Sequence, residues 1–230
     1  MSNCSANPPA DVPAAAPATA GLIKTFAASL LALLAGLACL LLSTEGGSAF
    51  TTETARRSAV ARAPQQLPDF QLLDAQGQTT SLLHRVAAGE KVWIADFVYT
   101  RCQTVCSALG SVYQQLQQQI VDGGLADRVG LLSISFDPAA DDAAALRAYA
   151  ERMRLDSAAW HIVTLAAAGD RRRLLDAFGI MVLPAPLGEF EHNAALHLID
   201  SRGRLLRIVD YDNPARALDL ALLLARRPPG

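Results

Sequence analysis

The run Val92-Trp93-Ile94-Ala95-Asp96-Phe97-Val98-Tyr99 is nearly all apolar, rich in β-branched and aromatic residues, and gives way to Cys102 and Cys106. Such a run reads as a buried strand. After the cysteines, Ala108, Leu109, Val112, Leu116 and Ile120 recur at spacings of three and four among Gln and Ser. That is the helical period, and it predicts a helix over 103–120. The two cysteines therefore stand on a strand-to-helix turn, with Cys106 one helical turn beyond Cys102. If the helix starts near Cys102, the i to i+4 spacing sets both sulfurs on one face. Free N–H groups and the positive end of a helix dipole favour thiolate over thiol, and Arg101 adds to this. Two such thiolates can close a disulfide or hold a soft cation such as Cu(I). Two inert cysteines under a helix are the alternative.

The segment Phe97-Val98-Tyr99-Thr100-Arg101-Cys102-Gln103-Thr104-Val105-Cys106 resembles the cysteine motif of the Sco/SenC family. The resemblance implies a thioredoxin-like, membrane-anchored copper protein that helps assemble the CuA centre of cytochrome c oxidase. The family usually carries proline after each cysteine, where this chain has Gln103 and Ser107. That departure bears on the turn and on metal affinity or redox potential, not on the fold.

The element order agrees with such a fold. A hairpin is expected around Ala75-Gln76-Gly77, then the short run 81–86, the 91–99 strand and the cysteine helix. A second buried strand covers 129–136, and Asp141 is placed to cap a helix running to about Leu155. A short strand at 161–165, a helix at 170–178 closed by Gly179, strands at 194–199 and 205–209, and a helix from Pro214 to Ala225 complete the chain. Strands alternating with helices and ending in a β-hairpin indicate an α/β thioredoxin-like fold, a central mixed sheet flanked by helices.

Of the four histidines, His192 stands out. It follows a segment containing Pro184, Pro186 and Gly188, read as a loop of the kind that presents functional groups, and it precedes the 194–199 strand. Glu191-His192-Asn193 also matches the place where the Sco/SenC family carries its copper-ligating histidine. The resemblance thus implies Cys102, Cys106 and His192 as ligands of one copper ion. Two thiolates and an imidazole suit Cu(I), and a further weak ligand admits Cu(II). A structural zinc site would ask for four protein ligands, and no fourth Cys or His is evident. Asp137, in Ser135-Phe136-Asp137-Pro138, matches a family aspartate, with helix or turn capping and support behind the ligands as its alternative roles. His197 is expected to face solvent or a neighbour, and His84 and His161 are expected to be structural.

Upstream, residues 1–23 form a Pro-, Ala- and Ser-rich tail of a composition that does not order itself. From Thr25 to Ser43 there is no charge, and about 20 such residues just cross a bilayer, so 24–43 is expected to be a transmembrane anchor. Arg56, Arg57 and Arg62 lie beyond its far end and Lys24 before it, so the positive-inside count alone does not favour export. An uncleaved anchor with the domain outside the cytoplasm, in a bacterial periplasm, is nevertheless the expectation. Cleavage near Gly47-Ser48-Ala49 is the alternative. Residues 44–66 read as a flexible linker and 67–227 as the soluble domain. A net charge of −2 without a basic stripe gives no sign of nucleic-acid binding.

Two functions compete. One is a copper-binding assembly factor whose partners are the CuA-bearing oxidase subunit or another copper oxidase, together with other copper chaperones or thiol reductases. The other is a thiol–disulfide oxidoreductase using Cys102 and Cys106 alone. A peroxiredoxin-type peroxidase would want a Thr/Arg setting around one cysteine, and none is visible.

Overall fold

The structure is a computed structural model that describes residues 18–43, 52–101, 105–186 and 189–226. Cys102, Cys4, the possible cleavage site at 47–49 and Gly188 lie outside the described residues. The chain divides into two units, Met1–Ala55 and Arg56–Gly230. In the first, α1 (Ala18–Ser43) begins within the predicted tail and contains Gly21–Leu42, long and apolar enough to cross a membrane. A signal sequence would pass the same test.

Residues 52–62 correct the linker expectation. Thr52–Arg62 is a helix, α2, and β1 (Gln65–Gln66) already pairs with the sheet. Within the second unit, Val60 is buried and Arg57 pairs with Asp210. One apolar anchor among charged and small residues produces no readable period, which is why the sequence looks like a tether.

The sheet is built from β1, β2 (Gln71–Asp74), β3 (Thr79–Ser81), β4 (Val92–Val98), β5 (Val129–Ser135), β6 (Trp160–Leu165), β9 (Ala195–Ile199) and β10 (Arg204–Asp210). Its order is β1-β10-β9-β4-β5-β6-β2-β3. The three central strands β4, β5 and β6 run parallel, as crossover connections require. They are buried along almost their whole length, which explains why they read as continuous apolar runs rather than alternating ones.

Alternate residues of β4 serve two cores. Trp93, Ala95 and Phe97 face one in which α3 (Leu82–Ala87) contributes Leu82 and Val86 and α6 (Arg171–Phe178) contributes Leu174 and Phe178. Val92, Ile94 and Val98 face the other, covered by α4 (Val105–Asp122), α5 (Ala143–Met153) and α7 (Pro214–Ala225). Each fully buried Leu, Ile or Phe in these layers contributes about 1.5–3 kcal/mol, so the layers rather than the hairpins carry stability. Gly179 ends α6 in the left-handed conformation, φ 63°, a backbone state that other residues adopt at a cost.

Two local expectations change. The cap of α5 is Asp142, whose side chain accepts from the Ala145 N–H at 2.9 Å; Asp141 is fully buried and turned inward. Residues 182–192 are not only a loop. Val182–Pro184 (β7) and Phe190–His192 (β8) form a small antiparallel hairpin, too short and too interrupted by proline to show alternation.

Candidate metal centre

The site begins where β4 ends. The last β4 residue, Val98, accepts a hydrogen bond from the Phe136 N–H at 3.0 Å. Beyond it, Tyr99, Thr100 and Arg101 lead to Cys102, which lies outside the described residues. Cys106 is the second residue of α4, so its backbone is in the helix's first turn. Among the described residues, no three His, Cys, Asp or Glu side chains gather as a metal site.

His192 closes β8, at the same end of the sheet. Its neighbour Phe190 is bound to Tyr99, three residues before Cys102: the Phe190 N–H donates to the Tyr99 hydroxyl at 3.2 Å and the hydroxyl lies 3.4 Å from the Phe190 carbonyl. The Tyr99 and Phe190 rings meet edge to face at 5.3 Å. Phe136 packs on both, at 5.5 and 5.8 Å, and on the His192 imidazole at 5.2 Å. Arg171 lies over the Phe136 and Phe190 rings, at 5.6 and 5.0 Å. Edge-to-face and cation–π packing of this kind fastens a hairpin only three residue pairs long to the end of β4.

The imidazole is polarised by its surroundings. Nδ1 lies 3.4 Å from the Asn193 carbonyl, while Nε2 is buried and has no hydrogen-bond partner among the described residues. Burial lowers its pKa, against a smaller opposite effect of the Asn193 carbonyl, and favours the neutral ring.

Asp137 is neither beside His192 in hydrogen bonding nor a helix cap. Its carboxylate takes the Arg101 guanidinium at 2.6 Å, and this raises the Arg101 pKa. The pair ties the residue before Cys102 to the end of β5. Sequence reasoning missed Asp141, Thr100 and Ser135 as members of the same cluster. The Asp141 carboxylate accepts from the Thr100 N–H at 2.9 Å, the Thr100 hydroxyl at 2.6 Å and the Ser135 hydroxyl at 2.5 Å. The signal was a threonine just before the cysteines and an acid four positions after Asp137.

The other histidines are elsewhere. His197 does not face solvent: it is fully buried, edge-on to Phe97 and Phe178 at 5.5 Å each. Burial, reinforced by Arg56, pushes its pKa to about 3, so it is neutral. His161 packs on Trp93 of β4 at 5.5 Å, and both line a cavity of about 410 Å³ with His84, Arg85 and Lys91.

A model of the SCO1/SenC family matches residues 59–222. The chain belongs to the SCO1/SenC family. Its fold is the thioredoxin-like fold of that family, as the solved structures bear out. A SCO1 protein homolog of Bacillus subtilis (strain 168) is 26% identical over 128 residues, 53% of this chain and 62% of the relative. The chain thus spans about three fifths of the curated relative it matches. A SCO1/SenC family lipoprotein from Bacillus anthracis is 25% identical, with a TM-score of 0.59 over 70% of this chain and 98% of that one. BsSco, described as a Sco-family cytochrome c oxidase assembly protein with a disulfide switch, is 23% identical, with a TM-score of 0.57 over 70% and 96%. Copper-bound ScoI of Bradyrhizobium japonicum is 22% identical, with a TM-score of 0.54 over 68% and 99%.

Proposed function

We propose that this protein binds one copper ion through Cys102, Cys106 and His192 and serves in cytochrome c oxidase assembly, delivering copper to, or maintaining the thiols of, a CuA-bearing subunit. The observation that carries the reading is His192: a buried Nε2 without a partner among the described residues, on a hairpin pinned to Tyr99 just ahead of Cys102. A buried imidazole nitrogen left without a hydrogen bond is costly unless something else occupies it. A soft ion held by two thiolates would do so, and the donor set suits Cu(I), with Cu(II) accessible through a further weak ligand. Copper-bound relatives of the same fold support the choice of metal.

In this reading residues 24–43 anchor the chain in a bacterial inner membrane, and the SCO1/SenC domain works in the periplasm, where it meets the oxidase subunit and other copper chaperones or thiol reductases. The apolar helix and a lipoprotein relative support anchoring.

A dithiol reductase that uses Cys102 and Cys106 alone is the second reading, favoured by a relative with a disulfide switch. One experiment separates the two. Cu(I) and Cu(II) binding and the rate of dithiol exchange are measured for the protein and for His192→Ala. Copper affinity lowered about tenfold or more, with exchange retained, supports the copper reading. Unchanged copper binding rejects His192 as a ligand and leaves the reductase.

A further inference from the structure

We propose that Asp141 is the positioning residue of the cysteine turn: its buried carboxylate fixes the short segment from which Cys102 departs, and so sets how well the two sulfurs face each other. The inference rests on the reading of Cys102 and Cys106 as the working pair.

The sheet cannot do this itself. Ladder pairing of β4 with β5 ends at Val98↔Ser135, and that with β9 ends earlier, at Ala95↔His197. Past Val98 the backbone needs other partners. Thr100 finds them at both ends: its N–H and hydroxyl donate to Asp141, and its carbonyl accepts from Arg152 Nη2 at 2.8 Å. Arg101 is tied in turn to Asp137, whose own N–H donates to the Ser135 hydroxyl at 3.1 Å. The two residues before Cys102 are thus fastened to the β5–α5 connection and to α5.

Asp141 is the centre of this arrangement. It is 0% exposed, and a buried carboxylate persists only where donors compensate its lost hydration. Three donors do so, and two of them belong to Thr100. Charge-assisted bonds are the stronger class, and their loss also strands the remaining donors. A residue whose only task was to start α5 would not be turned away from that helix, and Asp142 already caps it.

Cys106 is carried by α4, so the relative placement of the two thiols depends on what holds the strand side. Releasing Thr100 lowers the effective concentration of one thiol at the other. The disulfide then becomes easier to reduce, and a soft ion is held less well.

The test uses the full-length protein in detergent, with Asp141→Asn, the milder Thr100→Val, and Leu218→Ala in α7 as a control of core stability. Each is equilibrated with glutathione: as the Cys102–Cys106 disulfide takes up two electrons and two protons to give the dithiol, two glutathione thiols become one glutathione disulfide. Cu(I) affinity is measured by competition with a chromophoric chelator, and Tm is recorded throughout. Asp141→Asn should move the dithiol/disulfide constant about tenfold towards dithiol and weaken Cu(I) binding by a similar factor, with Thr100→Val moving both the same way by less. Leu218→Ala should lower Tm and leave both constants within about twofold, since none of the bonds that hold Thr100 and Arg101 involves α7. The proposal is overturned if Asp141→Asn, or Thr100→Val should the first not fold, lowers Tm but leaves both constants where the control leaves them. Failure of the copper reading looks different. Wild-type protein would then bind no stoichiometric Cu(I), while the glutathione equilibrium would still report on Asp141.

Discussion

The His192 imidazole stands edge-on to the Phe136 ring, centroids 5.2 Å apart at 70°, and Phe136 in turn donates its N–H to Val98, the last residue of β4. One residue, by its ring on one side and its backbone N–H on the other, thereby links the late hairpin to the strand that leads into the cysteines. Phe136→Ala should cost about 3–5 kcal/mol of stability and weaken copper binding beyond what the stability loss explains. Phe136→Leu should retain more of both. Denaturant unfolding together with Cu(I) competition checks the pair, and equal copper affinity in all three proteins would remove Phe136 from the site.

Asp96 should make the fold less stable as pH rises. It is buried on the β4 face towards α4, and burial lifts its pKa from 3.8 to about 7, partly opposed by the Ser133 and Tyr113 hydroxyls. Between those values the folded state binds the proton and the unfolded chain does not. The protonated form is thus favoured by folding, and that advantage disappears as pH climbs through about 7. The whole effect is on the order of 4 kcal/mol. Asp96→Asn should be relatively more stable than the parent at pH 8 than at pH 4, read from urea midpoints across that range.

His197 should act in the opposite direction. Its folded pKa is about 3, below the ordinary 6.5, so below pH 6.5 the unfolded state binds a proton that the folded state refuses. Stability from this group is complete above pH 6.5 and falls as pH drops towards 3. Filling the slot between Phe97 and Phe178 with a non-titrating ring, His197→Phe, should lessen acid sensitivity between pH 6 and 4. A parallel loss of stability with acid in both proteins would contradict the assignment.

Gly179 tests the packing of the first helix of the domain unit. It sits at φ +63°, and a Cβ there would come within 2.4 Å of the Arg56 guanidinium. Arg56 can swing aside, so the backbone conformation supplies most of the penalty: Gly179→Ala should destabilise by about 1–2 kcal/mol. Gly169, where a Cβ meets nothing within 4 Å, should accept alanine with little change in Tm.

The buried parallel strands, the α4 helix and the closing hairpin were readable because each is a run of residues obeying one period over many positions. The helical positions Leu116 and Ile120 of α4 are fully buried, as their spacing predicts. Short elements escaped for the converse reason. The three-residue strands of the His192 hairpin and the single anchor Val60 of α2 offer too few positions for a period to appear.

Sequence alone determined which residue types were on offer: two cysteines four positions apart after an apolar run, an apolar segment of bilayer length, and a histidine ahead of a late strand, because residue type and local spacing are enough for each. Tertiary structure decided how polar groups distant in sequence are partnered. Neighbours in the chain, Asp141 and Asp142, divide into a buried anchor for Thr100 and an exposed helix cap, and His192 and His197 into a rim imidazole and a core ring. Burial and the geometry of donors set those outcomes, and both are properties of the packed fold rather than of any stretch of chain.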